Sequence, residues 1–275
     1  MEKLESLRKL DRRYLMVVML ILMIIPAVNP LGIPIPISDY TREVYNYIEN
    51  LPSGSIIVVA NNVDVALWPE EETFAKALFW HLGEGPHKFV IVNFGADSPL
   101  LISGALTDIN FEISFPNKKY GDDYVLMGFL AGGETAMASF ATNPQGVFEQ
   151  DFYGTPIEQL SIMKELKGAS DIDLIVHITG SDADSPVRQW VETFHIPYAA
   201  APTIGWVPTY MPYYNAGQLV GLIAGVQGGA EYELLIGRPG SGLAINDALS
   251  LAFLFTILLA ILGNIDHLIS RLKGG

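Results

Sequence analysis

The stretch "SIIVVANNVDVALWPEEETFAKALFWHLGEGPHKFVIVNFG" runs from Ser55 to Gly95, and its two ends are near-continuous apolar runs of strand length, "SIIVVAN" and "KFVIVNFG". A strand with one wet face alternates apolar and polar residues, whereas an unbroken apolar run belongs to a strand covered on both faces. Between the runs, "EEETFAKALFWHLGE" carries helical spacing. Strand, helix, buried strand is the unit of a parallel sheet.

The same pattern continues along the chain. "YVLMGFLAG" (Tyr124–Gly132) and "LIVHITG" (Leu174–Gly180) read as further buried strands, and "IPYAAAPTIG" (Ile196–Gly205) as a fifth. "TREVYNYIENLPSGS", "ETAMASFATN", "PIEQLSIMKELK" and "SPVRQWVETFH" supply helices. Right-handed crossovers are nearly obligatory in this arrangement. The expected fold is therefore an open, mostly parallel, Rossmann-like or flavodoxin-like α/β sheet with helices on both faces, flanked by N- and C-terminal transmembrane helices.

The flanking helices are read from hydropathy. Half of the 275 residues are hydrophobic and the mean hydropathy is +0.31, yet the apolar residues gather near the two ends. Tyr14 to Ser38 and Ala248 to Ile265 contain no charged residue, and a helix of roughly 20 apolar residues crosses the hydrocarbon layer. The expected spans are residues 14–33 and 244–266. Basic residues lie outside both: Lys3, Arg8, Lys9, Arg12 and Arg13 before the first, Arg271 and Lys273 after the second. By the positive-inside rule, residues 1–13 and 267–275 stay in the cytoplasm, and the domain 34–243 lies outside it in a two-span protein of the cell membrane. A cleaved signal peptide competes for the first run. The sequence "IPAVNPLG" offers it no clean small-x-small cleavage site.

Composition excludes several classes. Between Ser38 and Leu243 there are 25 Asp and Glu against 9 Lys and Arg, so nucleic acid is repelled and is not an expected partner. The absence of cysteine removes thiol catalysis, iron–sulfur clusters and cysteine-type zinc sites. No G-x-S-x-G, H-E-x-x-H, G-x-G-x-x-G or G-x-x-x-x-G-K-[ST] occurs. No cofactor and no catalytic residue is implied.

In open α/β sheets ligands bind beyond the carboxyl ends of the strands, which makes Asn61, Asn62, Gly132, Gly133, Glu134, Ser181 and Asp182 the candidate ligand-binding residues. The glycine pair could admit a phosphate at a helix N-terminus, although Glu134 opposes an anion there. Asp182 and Asp184 are the weak metal candidates, with strand termination and helix capping as the competing role. Glu70, Glu71 and Glu72 read as a solvated first-turn cap, and His177 as a hydrogen-bonded core residue.

Two segments point to partners. "PTIGWVPTYMPYYN" reads as a stiff non-helical loop whose Trp206 and Tyr210 suit an interface. "AGQLVGLIAGVQGGAEYELL" (Ala216–Leu235) reads as one helix, with Gly217, Gly221, Gly225, Gly228 and Gly229 on one face and large apolar residues on the other. A glycine face lets another backbone approach closely, either that of its own domain or that of a neighbouring protomer. The expected function is a non-enzymatic, membrane-anchored subunit of a homo-oligomer or larger membrane complex, with the lipid bilayer and other subunits as partners. The alternatives are a ligand-binding or sensor domain using the strand-end cleft, and a hydrolase or transferase on the same cleft.

Overall fold

The computed structural model describes residues 11–273, with side chains described through Asn264. The basic N-terminal segment expected in the cytoplasm thus falls largely outside the described residues. The chain divides into two compact units, residues 35–238 and the two terminal segments.

Residues 35–238 form an α/β domain. In chain order it comprises α2 (Asp39–Asn50), β1 (Ile56–Asn62), α3 (Trp68–Glu84), β2 (Lys88–Asn93), α4 (Ser98–Asp108), α5 (Phe111–Ser114), β3 (Tyr124–Phe129), α6 (Glu134–Thr142), α7 (Ser161–Glu165), β4 (Leu174–Thr179), α8 (Asp184–Pro186) continued by a wide π-type turn over Val187–Glu192, β5 (Tyr198–Pro202), α9 (Val207–Asn215), β6 (Gly221–Leu222) and α10 (Gly225–Leu235). The six strands form one sheet in the order β3-β2-β1-β4-β5-β6, and every pairing is parallel. Val58 lies between Val90 of β2 and Ile175 of β4.

All five strands expected from the apolar runs are present. Their continuous hydrophobicity is explained by helices on both faces: Ile57, Val59, Phe89 and Ile91 pack with Phe74 and Leu78 of α3. Val58, Val90 and Ile175 face the other side, with Phe140 of α6 and Trp190 of the π-type turn. Among these side chains Trp190, Phe89 and Phe140 are fully buried. Burial of each such side chain contributes about 1.5–3 kcal/mol.

The Ala216–Leu235 stretch is not one helix. Gly217, at φ +74°, closes α9 by a turn. Gly221 and Leu222 then pair with Ala199 and Ala200 as the edge strand β6. The helix begins only at Gly225, φ +56°. Glycine is favoured at positive φ and weak in helix interiors, so the row divides into a turn, a strand and a helix start.

The other glycines mark close approaches inside the domain. A Cβ at Gly221 would lie 2.5 Å from Val44 Cγ2 and 2.6 Å from the Tyr40 carbonyl oxygen. One at Gly229 would overlap Thr73 Oγ1 of α3, and one at Gly228 would lie 2.9 Å from the Ile223 carbonyl carbon. The backbones they approach belong to their own domain. The proline-rich segment before them is also helical, because Pro208 stands in the first turn of α9, where its missing N–H is not needed. Tyr210, expected at an interface, is fully buried, and Trp206 is partly exposed. The Tyr210 hydroxyl donates to the Asp182 carbonyl oxygen at 3.0 Å.

The terminal unit contains α1 (Arg12–Val28) and α11 (Ser241–Lys273), which pack together. Among the described residues one helix is long and apolar enough to cross a membrane, Ser241–Asn264. The first apolar run yields a shorter helix than the expected span over 14–33. α1 ends at Val28, and Asn29 to Ser38 is not helical. Its 17 residues extend about 25 Å at 1.5 Å per residue. Pro30, Pro34 and Pro36 lack the N–H that a continuing helix needs.

Asp247 ties the segment after α1 to the first turns of α11. Its side chain is fully buried and accepts the backbone N–H groups of Leu31, Gly32 and Ile33 at 2.7, 2.9 and 3.0 Å. A carboxylate receiving three N–H donors forms a strong charge-assisted cluster. Outward from it, Leu20, Ile21, Phe253, Leu254 and Ile257 are all at least half exposed.

Two outcomes are expected. Gly229→Ala and Gly221→Ala each lower unfolding stability by about 1–3 kcal/mol through overpacking, measured by denaturant unfolding, and leave the native mass unchanged. Asp247→Ala removes the acceptor of three N–H groups and costs on the order of 2–4 kcal/mol, read as faster protease cleavage within residues 29–38 of the detergent-solubilised chain.

Candidate functional site

The sheet order reverses between β1 and β4. From β1 the chain winds outward through β2 to β3, then crosses the sheet to β4 and winds the other way. The loops leaving β1 and β4 therefore diverge, which opens a crevice at their carboxyl ends. It is about 490 Å³ in volume and is lined chiefly by Asn62, Asp64, Gly95, Asp97, Gly180 and Ser181.

Each wall is held by short polar contacts. Asn62 Nδ2 donates to Ser181 Oγ at 2.9 Å, and Ser181 Oγ lies 2.8 Å from Thr179 Oγ1. Asp64 Oδ1 accepts the Ala66 and Leu67 N–H groups at 2.8 and 3.1 Å, which turns the chain from β1 into α3. Ser98 Oγ binds Val63 through both its N–H, at 3.0 Å, and its carbonyl, at 2.9 Å. A Cβ at Gly95 would lie 2.5 Å from that Ser98 oxygen, and one at Gly180 would overlap Leu67 Cδ1. Glycine at these two positions lets the loop backbones pack directly against Ser98, Val63 and Leu67.

The candidate residues named from sequence separate in the structure. Asn62 and Ser181 line the crevice. Asn61 does not: strand alternation turns it to the opposite face, where it is fully buried and donates to the Val59 and Val92 carbonyls at 3.1 and 3.3 Å. Gly132, Gly133 and Glu134 form the start of α6 and lie outside the crevice lining. The Glu134 carboxylate is engaged by Gln189 Nε2 and Arg188 Nε, each at 2.7 Å. These hydrogen bonds hold its carboxyl below the usual range.

Asp182 and Asp184 serve local structure. Asp182 Oδ1 accepts the Asp184 and Ser185 N–H groups at 3.0 and 3.3 Å, and Asp184 Oδ1 accepts the Tyr213 hydroxyl at 2.5 Å. Among the described residues no three His, Asp or Glu side chains converge as a metal site. His177 is a core residue. Its Nδ1 is 2.9 Å from the Tyr198 hydroxyl, and burial pushes its pKa down to about 3, so the ring is neutral at pH 7.

The acidic run Glu70–Glu72 is not a uniformly solvated cap. Glu72 pairs with Lys76 at 2.7 Å, and Glu70 Oε1 accepts the Ile204 N–H at 2.5 Å. Glu71 points inward. It is 3% exposed, its two oxygens have no hydrogen-bond partner, and a Cβ on crevice-lining Gly180 would lie 3.3 Å from Oε1. Burial, with the charges of Asp64 and Glu70 behind it, raises its pKa to about 8. Helical position placed all three acids in one first turn, and nothing in their spacing marks the one that the β4 and β5 ends cover.

The start of α3 therefore differs from a phosphate-binding helix start. Asp64, Glu70 and Glu71 occupy the positive end of the helix dipole, where a dinucleotide-binding domain presents glycine backbone to a pyrophosphate. Asp64 and Asp97 put acidic side chains on the crevice walls.

Glu71 also predicts a pH dependence. The folded chain holds this proton up to about pH 8, whereas an unfolded carboxylate releases it near pH 4.3. Native stability therefore falls as pH rises through this window, by about 1.4 kcal/mol per unit of pKa difference. Glu71→Gln is expected to raise the thermal midpoint by roughly 10–20 °C at pH 9 and barely to move it at pH 4, as followed by circular dichroism.

No protein-family model, no curated protein and no solved structure matches the chain, so its site is read from its own geometry.

Proposed function

We propose that this protein is a membrane-anchored α/β domain that binds a small, uncharged or cationic polar ligand in the crevice between the ends of β1 and β4. The observation that carries the reading is the open crevice at the strand-order reversal, with Asn62, Asp64, Asp97 and Ser181 on its walls. Asp64 and Asp97 on the walls set the ligand's charge class. No nucleophile–base pair lines the crevice among the described residues, so binding rather than turnover is the proposed role.

The anchor in this reading is the pair α1 and α11. Most side chains exposed between their ends are apolar, and α11 has the length of a span. α1 reaches about 25 Å, and the uncharged, proline-containing segment behind it extends its apolar length. The basic residues at the outer ends of both apolar segments support a topology with those ends in the cytoplasm and the crevice-bearing domain on the other side. A role as an assembling subunit loses the support of its glycine row, whose close contacts are made within the domain.

The test is a thermal-shift series on the full chain in detergent against small amines, polyols and sugars, divalent cations and nucleotides. A ligand at 100 times its Kd contributes about 2.7 kcal/mol, which is a shift of several degrees. An amine or polyol is expected to raise the midpoint, nucleotides to leave it unchanged, and Ser181→Trp, which fills the crevice, to abolish the shift. A flat response to every class, or an undiminished shift in Ser181→Trp, overturns the reading.

A further inference from the structure

A second cavity, away from the β1–β4 crevice, lies against the edge strand β3. It has a volume of about 260 Å³, and among its lining residues are Phe111, Glu112, Tyr120, Tyr124 and Tyr153. The size is just below the ~300 Å³ at which drug-sized pockets begin. It suits one compact group.

The rings stand at steep angles to one another. Tyr120 and Tyr124 meet at 5.2 Å between centroids and 89°, Tyr120 and Tyr153 at 5.5 Å and 70°, and Phe111 and Tyr124 at 4.8 Å and 59°. Such an arrangement forms the corners of a box. Tyr120 is held in place by its hydroxyl, which donates to Asp151 Oδ2 at 2.8 Å. Tyr124 is 3% exposed, and its hydroxyl makes no hydrogen bond with any described residue.

Charge completes the chemistry. Glu112 brings a carboxylate to the lining, no Lys or Arg is among the lining residues, and the surrounding domain is strongly acidic. An aromatic face carries negative quadrupole charge and attracts a cation lying within about 6 Å of the ring centre. Four of the nine lining residues are aromatic, and a primary ammonium would give up hydrogen bonds to water on every side that faces a ring. A fully alkylated ammonium needs none.

We propose that this cavity is an aromatic cage for a quaternary ammonium group, with Tyr120, Tyr124, Tyr153 and Phe111 as walls and Glu112 as the counter-charge. The group can arrive on a free solute or on a lipid headgroup, and the recognition chemistry is the same.

The test uses the full chain in phosphatidylglycerol nanodiscs, titrated calorimetrically with choline and, separately, with 3,3-dimethyl-1-butanol, its neutral isostere. Choline is expected to bind at least tenfold more tightly than the isostere. Tyr153→Ala, at a side chain 60% exposed and therefore compatible with folding, is expected to weaken choline tenfold or more. Tyr153→Phe, which keeps the ring, is expected to retain it, and Glu112→Gln to weaken it severalfold. Repeating the titration in phosphatidylcholine nanodiscs separates the sources: suppressed choline binding identifies the lipid headgroup as an occupant, and undiminished binding identifies a free solute. Both results support the cage. No choline binding in phosphatidylglycerol, equal affinity for choline and its isostere, or unchanged affinity in Tyr153→Ala overturns it. None of these results depends on the β1–β4 crevice.

Discussion

Every strand of the sheet is parallel, and a parallel strand reaches its neighbour only by a crossover that covers a sheet face. That constraint places helices on both faces, which requires strands that are apolar on both sides, and it leaves the carboxyl ends of the strands as the edge from which loops diverge. The reversal between β1 and β4 converts that edge into a crevice. Thr179, Ser181 and Asn62 are joined across it by hydrogen bonds of 2.8 and 2.9 Å, so its two walls are held in register by the strands that create it.

The chemistry of the crevice is set by what occupies the first turn of α3. The same topology binds anionic dinucleotides when the turn is glycine-rich. Here Asp64 stands just before the helix and Glu70 in its first turn, so the chain's own carboxylates already face the helix dipole, while Glu71 beside them stays protonated at pH 7. Glu71 carries the energetic consequence. A carboxylate with two unpartnered oxygens is tolerated in the interior by remaining protonated, at a stability cost that appears only as pH rises. Asp247 is also buried but receives three backbone donors, so two buried carboxylates of one chain are accommodated in opposite ways.

Hydrophobic pattern made the strands legible: "SIIVVAN", "KFVIVNFG", "YVLMGFLAG" and "LIVHITG" each became a strand with boundaries that agree within three residues. β6 was hidden because two residues, Gly221 and Leu222, carry no periodicity of their own and become a strand only against Ala199 and Ala200 of β5. The glycine row misled for a related reason. Spacing by four suggests a helical face, and positive φ at Gly217 and Gly225 is invisible in composition. Asn62 and Ser181 were recoverable from the rule that loops after parallel strands carry sites. Asn61 was mistaken because one step along a strand reverses the face. The cage residues Phe111, Tyr120, Tyr124 and Tyr153 are spread over 43 positions with no shared spacing, and only the packing of α5 and the 150s loop against β3 brings them together.

The amino-acid sequence by itself determined the layer architecture, the apolar terminal segments, the acidity of the domain and the absence of cysteine and of glycine-rich phosphate-binding motifs, because these follow from composition and from periodicities shorter than a few turns. Only the tertiary structure decided which glycines turn the chain and which admit a neighbour, which of three consecutive glutamates is buried, and which aromatic side chains share a cavity. Those outcomes depend on contacts between residues far apart in the chain, and a local pattern carries no record of what is packed against it.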